Sequence, residues 1–219
     1  LGGVLSALLM VSFTYFWELD TLQISILFAG PPILAVIIVT GSAHFVNKRL
    51  EKQQLLQFSC IIGALNLAWL TPLKLLGWLP QEAGIVFGLV FVNYAIFVTM
   101  SIMRTVANQA LLADIADEHE LATGQRQEGV MFAAAFFAAK FCAGFGYLVA
   151  GPFLDMIGLA AGAVPGETPE SVALGLGIVM GPGLALMMIV PIWMSLKLDA
   201  SLAGQLAVQK ALNERAKTT

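Results

Sequence analysis

The sequence predicts an all-α membrane protein of six transmembrane helices. Three observations carry that reading. Hydrophobic residues make up 58% of the 219-residue chain and charged residues 11%, where an average soluble domain carries ~25% charged residues. So much apolar surface cannot be hidden in one soluble core, and lipid must be the solvent. Apolar runs of the ~20 residues needed to cross a ~30 Å hydrocarbon core recur six times. Backbone in lipid has to satisfy its own hydrogen bonds, so these runs are helices; a barrel would show short alternating strands. Finally, the lysines and arginines of the connections fall on alternate ones, as they do when one set of loops stays in the cytoplasm.

The expected spans are 1–17, 22–44, 55–78, 83–112, 128–157 and 172–196, forming a bundle over 1–197 with a cytoplasmic helical tail over 198–219. The first is short and opens in mid-run at Leu1, so we expect sequence before it. Between the second and third spans lie Lys48, Arg49 and Lys52; Arg126 separates the fourth from the fifth; Lys197, Lys210, Arg215 and Lys217 follow the sixth. The opposite connections carry Glu18, Asp20, Glu82, Glu167 and Glu170 and no basic residue. Both ends and the segment 114–128 are therefore expected in the cytoplasm. Lys74, near Trp78 at the outer boundary, reads as a snorkelling anchor.

Prolines 31, 32, 72, 152, 182 and 191 fall inside spans and permit bends. Gly84/Gly88 and Gly177/Gly181 stand at helical spacing and read as small faces for close packing. Cys60 and Cys142 sit in apolar runs and read as small core residues. The net charge of -3 offers no basic footprint for nucleic acid. No metal-ligand spacing, nucleophile elbow or phosphate loop appears, and neither His44 nor His119 has a candidate partner nearby in sequence, so no enzyme and no cofactor is expected.

Chemistry concentrates in two places. The first is the charged segment running from Ala113 to Gly129, which holds Asp114, Asp117, Glu120, Arg126 and Glu128. Carboxylates at the C-terminal end of a helix face the unfavourable end of its dipole. An Asp114–Arg126 latch across the turn at Gly124 is one reading, and a solvated charged loop is the other. The second place is the membrane interior. Lys140 lies twelve positions past Glu128, ~18 Å along a helix. A charge there needs a wet cavity or a partner. Arg104 shares a helix face with Asn108 if the fourth span is long, and is a boundary anchor if it ends early. Asn66, Asn93 and Tyr94 are ligand contacts or helix–helix hydrogen bonds. Lys140, Arg104, Asn108 and Tyr94 are the candidate substrate or coupling residues.

The run Ala113, Asp114, Ile115, Asp117, Glu120, Gly124, Arg126, Glu128, Gly129 resembles the segment after the tenth helix of the glycoside–pentoside–hexuronide:cation symporters, the melibiose-carrier-like branch of the major facilitator superfamily. Lys140 stands at the matching distance for that family's lysine, and Gly151, Leu154 and Gly158 match the end of its following helix. Residue-level similarity covers 113–158. The resemblance implies the C-terminal half, a 3+3 inverted repeat, of a twelve-helix transporter in a bacterial inner membrane. Its function would be cation-coupled symport of a sugar or glycoside by alternating access. It also implies a second six-helix half holding the Na+ or H+ site, so no cation site is assigned to these residues. Where sugar carriers have polar side chains one turn before the lysine, this chain has Phe136 and Phe137, which would also suit a lysophospholipid or other amphiphile. A non-transporting membrane assembly subunit is the alternative from another class.

Overall fold

The computed structural model describes residues 2–160 and 162–197, with Gly204, Ala207, Val208, Lys210, Ala211 and Glu214 of the tail. The helix expected over 198–219 thus lies almost wholly outside the described residues. Among the described residues every regular element is helical: α1 (Gly2–Val11), a π-helical turn (Ser12–Phe16), α2 (Thr21–Arg49), α3 (Lys52–Leu75), α4 (Ala83–Thr123), α5 (Glu128–Ile157), α6 (Glu170–Ile178), a second π-helical turn (Val179–Gly183), α7 (Leu184–Met187) and α8 (Ile189–Leu196). Five helices are long and apolar enough to cross a membrane: α2, α3, α4, α5 and the broken run Glu170–Leu196. The first expected span is an apolar helix too short to cross alone.

Local signals set the ends. Asp20 caps α2: its carboxylate accepts from Gln23 N at 2.7 Å while Asp20 N donates to the Gln23 side chain at 3.1 Å. Glu51 N donates to Gln54 Oε1 at 3.1 Å, opening α3 in the same way. Gly124 stops α4 at φ 74°, a left-handed conformation that glycine adopts without strain. Nothing before it breaks the helix, so Asp114, Asp117 and Glu120 belong to α4. The charged segment read as a loop is therefore the last turns of a 41-residue helix plus the short link to Glu128. The final span breaks where Pro182 removes an amide donor, and the backbone widens there into a π turn.

The large apolar side chains of α2 and α5 point mostly outward, among them Phe28, Ile33, Ile37, Phe137, Phe141 and Leu148. α3 is the inner helix, packed along α4 and against α6, α7 and α8. Two core clusters fill the interior, one around Phe13, Phe16, Leu70 and Leu176, the other around Leu8, Phe97 and Leu184.

Glycine governs the closest approaches. α1 crosses α5 at Gly3 and Gly146, where a Cβ on Gly146 would overlap the Gly3 carbonyl carbon and the Val4 nitrogen. Gly177 and Gly181 lie on Phe16, Leu75 and Thr71, with a Cβ at Gly181 only 2.7 Å from Thr71 Cβ. That pair is the packing face its spacing suggested. Gly84 and Gly88 are not: a Cβ on either meets nothing within 4 Å among the described residues.

Two polar clasps cross the interior. Asn66 Nδ2 donates to the Asn93 carbonyl at 2.9 Å, and Asn93 Nδ2 returns a bond to the Asn66 carbonyl at 2.8 Å, so these two serve helix–helix contact. Lys74 does not reach outward to solvent as expected. Its ammonium turns in to donate to the Phe16 carbonyl and lies 5.0 Å and 5.1 Å from the Phe16 and Trp17 ring centres. A cation suits the unpaired carbonyls at a helix C-terminus, and two ring faces add to the attraction.

Gly146→Leu should separate α1 from α5, because a side chain cannot share space with a facing backbone. Overpacking of this kind costs at least about 1–3 kcal/mol. Thermal denaturation in detergent should show a lowered midpoint for Gly146→Leu and little change for Gly144→Leu, whose Cβ faces open space.

Candidate functional site

α3, α4, α5 and α8 enclose a cavity of about 700 Å³ at the end of the bundle where Lys52, Arg126 and Lys197 lie. Its polar wall comes from one helix. Arg104, Thr105, Asn108 and Gln109 follow one another on α4 at steps of one, three and one, a stripe that continues into Leu112 and Ile115. Opposite stand Phe136 and Ala139 of α5, Cys60 of α3, and Met194 and Ser195 of α8. Arg104 and Asn108 are thus brought to one surface, as their i, i+4 spacing predicts once α4 is long. Thr105 and Gln109 were missed by sequence reasoning, though the same stripe marks them.

Arg104 Nη2 contacts Ser101 Oγ at 3.3 Å, and the guanidinium lies beside the Cys60 thiol. No carboxylate pairs with Arg104 among the described residues. A charge in such a position has cavity contents or solvent as its counterpart.

Tyr94 is elsewhere. It packs edge-on to Phe13 at 5.3 Å between centroids and stacks on Phe97 at 6.3 Å, lining a separate, smaller void. The structure does not join it to Arg104 and Asn108.

Lys140 is exposed and makes no hydrogen bond or ion pair with a described residue. It does not itself line the cavity, but follows Ala139 and stands one turn beyond Phe136, both of which do. Along α5 it stands twelve residues, ~18 Å, beyond Glu128.

The latch is formed by a different pair. Lys52 Nζ binds both carboxylate oxygens of Asp114, at 2.7 Å and 2.8 Å, and Asp114 is buried. Arg126 instead holds Glu128 at 2.9 Å in solvent, and that carboxylate holds the guanidinium above its ordinary range. The expected Asp114–Arg126 contact is absent because Asp114 is nine residues inside α4, well short of the turn, and faces the start of α3. There its charge offsets a lysine placed in the first turn of α3, at the positive end of the dipole. Asp117 and Glu120 join Glu128 only as more distant charges acting on Arg126. Beside this clasp, Gln53 and Gln57 both donate to the Ser195 carbonyl, at 3.0 Å and 3.2 Å, fastening the end of α8 to α3. Among the described residues no three His, Cys, Asp or Glu side chains converge as metal ligands.

A bundle of apolar helices with an open cavity that carries one polar stripe suits a membrane transporter. Residues 1–200 match the family described as MFS/sugar transport protein, and the chain belongs to that family, within the major facilitator superfamily. Neither the curated proteins nor the solved structures gave a match.

Neutralising either end of the Lys52–Asp114 pair should lower the thermal midpoint, and Lys52→Met with Asp114→Leu together should cost less than the sum. With 41% of the Lys52 side chain exposed, the coupling should be about 1 kcal/mol after screening. Strict additivity across the four proteins would show that the two charges act independently.

Proposed function

We propose that this chain is one six-helix half of a melibiose-carrier-like transporter, coupling a Na+ or H+ gradient to uptake of a sugar or glycoside in a bacterial inner membrane. The observation that carries the reading is the cavity between α4 and α5. Its size is in the range of small-molecule sites. Thr105, Asn108, Gln109 and Arg104 offer donors and acceptors in a row to hydroxyl groups, and Phe136 offers a ring face to the apolar side of a sugar. The charged run at 113–129 supports the same branch of the family.

In this reading the cavity is the vestibule on the cytoplasmic side, with its remaining wall supplied by a second six-helix half. Rocking of the two halves would open and close it. Lys52–Asp114 keeps the cytoplasmic ends of α3 and α4 together while the vestibule changes. Asp117, Glu120, Arg126 and Glu128 form the charged surface that meets the other half when that side closes. Lys140, beside the vestibule wall, pairs with the substrate or with a carboxylate of that half. The coupling ion binds mainly in the other half. A second reading, transport of a lysophospholipid or related amphiphile, is favoured by the apolar remainder of the wall, Leu56, Leu112, Ile115 and Met194, with Arg104 as partner to a headgroup.

Uptake of a labelled panel of glycosides, uronides and lysolipids by the full-length transporter, with and without an ion gradient, tests this directly. Asn108→Leu should lower sugar uptake about tenfold, as loss of one hydrogen-bond partner to the substrate does. Lys140→Ala should keep the protein in the membrane while weakening binding or coupling. Gradient-independent, sugar-indifferent behaviour in every arm would overturn the proposal.

Topology has its own check. In a background lacking Cys142, a cysteine at position 123 should react with impermeant thiol reagents only from the cytoplasmic face. Labelling of intact cells from outside would reverse the orientation.

A further inference from the structure

The bundle holds a second void of about 50 Å³, remote from the cavity of Arg104 and Asn108. It lies where the first π turn, α3, α4 and the second π turn meet, and it has a polar lining: Ser12, Thr71, Asn93 and Tyr94. Ser12 is 2% exposed and Thr71 8%. Among the described residues, the hydroxyls of Ser12, Thr71 and Tyr94 make no hydrogen bond, and the carboxamide oxygen of Asn93 receives none, its nitrogen being committed to Asn66. None of these atoms is sealed against protein without a partner, so each keeps surface open to the void.

Helices commonly satisfy a buried serine or threonine by turning its hydroxyl back to a carbonyl one turn earlier. Ser59, Thr99 and Ser195 all do so in this protein. Ser12 and Thr71 do not, although the option is local and cheap. Four polar groups held around one space, with the backbone alternative unused, define a site for a small hydrogen-bonding ligand. No charged side chain lines it, which disfavours an ion as occupant. A water needs two to four polar partners, which this lining supplies, and the void has room for water.

We infer that this void is an internal water site in which ordered water bridges Ser12, Thr71, Asn93 and Tyr94. Water there links the first π turn, α3 and α4 at the level where both π turns interrupt regular helix bonding. It supplies the interior with hydrogen bonds that no neighbouring side chain provides. This site is separate from the proposed transport vestibule and stands whatever the substrate is.

X-ray radiolytic footprinting of the full-length protein in lipid nanodiscs, run in 18O-labelled water, tests the site. Radiolysis of a bound water marks the side chains touching it even when they are buried. Met180 lines the void and is 8% exposed; Met188 is 1% exposed and lines neither cavity. Met180 and Tyr94 should be oxidised about tenfold faster than Met188, as expected beside an internal water. Their 18O uptake should lag that of surface residues, because internal water exchanges slowly. Ser12→Ala with Thr71→Val should bring Met180 down towards the Met188 rate. Oxidation of Met180 no faster than Met188 in the unsubstituted protein would overturn the site, as would a rate unmoved by the double substitution. Should that variant fail to reach the membrane, the unsubstituted rates decide alone.

Discussion

The bonds that α3 sends to its neighbours are the constraint on which the rest of the bundle depends. In lipid there is no hydrophobic force to press helices together, because the tails are as apolar as leucine. Packing and polar pairing must do it instead. α3 supplies Lys52 to Asp114 of α4, Gln53 and Gln57 to the Ser195 carbonyl of α8, Asn66 to the Asn93 carbonyl of α4, and Lys74 to the Phe16 carbonyl beside α1. These contacts are spread from the first turn of α3 to its last. Those within the membrane join polar groups that could not be left in hydrocarbon, and all of them fix register as well as affinity.

The small residues complete the arrangement. Glycines at 177 and 181 let the last span lie directly on α3 and on Phe16, and the pair at 3 and 146 brings two backbones into contact. α2 and α5 remain at the margins, coated with leucine, isoleucine and phenylalanine. The same outward coat is what the composition alone demanded, since an interior this small can hide few of the chain's apolar residues.

Much of this was legible in the sequence because membrane constraints act locally. Apolar length and the i, i+4 relation of Arg104 to Asn108 need no knowledge of tertiary structure. Gly177/Gly181 was legible for the same reason, although Gly84/Gly88 shows that spacing alone does not say whether a neighbour arrives. What escaped was long-range or depended on where a helix stops. Lys52 and Asp114 are 62 positions apart, and nothing local pairs them. Arg126 seemed the nearer partner only while Asp114 was placed at a helix end. Alanine, leucine and glutamate carry α4 smoothly to Gly124, which moved the end by nearly three turns.

That extension gives α4 a mechanical character. At 1.5 Å per residue its 41 residues make a rod of ~61 Å, about twice the thickness of the hydrocarbon it crosses. No proline interrupts it, although α2, α3, α5 and α8 each contain at least one. A rod pivoting in mid-membrane magnifies motion at its free end: with ~40 Å beyond the pivot, a tilt of about 10° carries Thr123 through ~7 Å. Arg104 and Asn108, closer to the pivot, move less, and Asp114 draws Lys52 and the start of α3 along. Were α4 to tilt in the proposed rocking motion, a small rearrangement near Arg104 would become a wide stroke at Thr123.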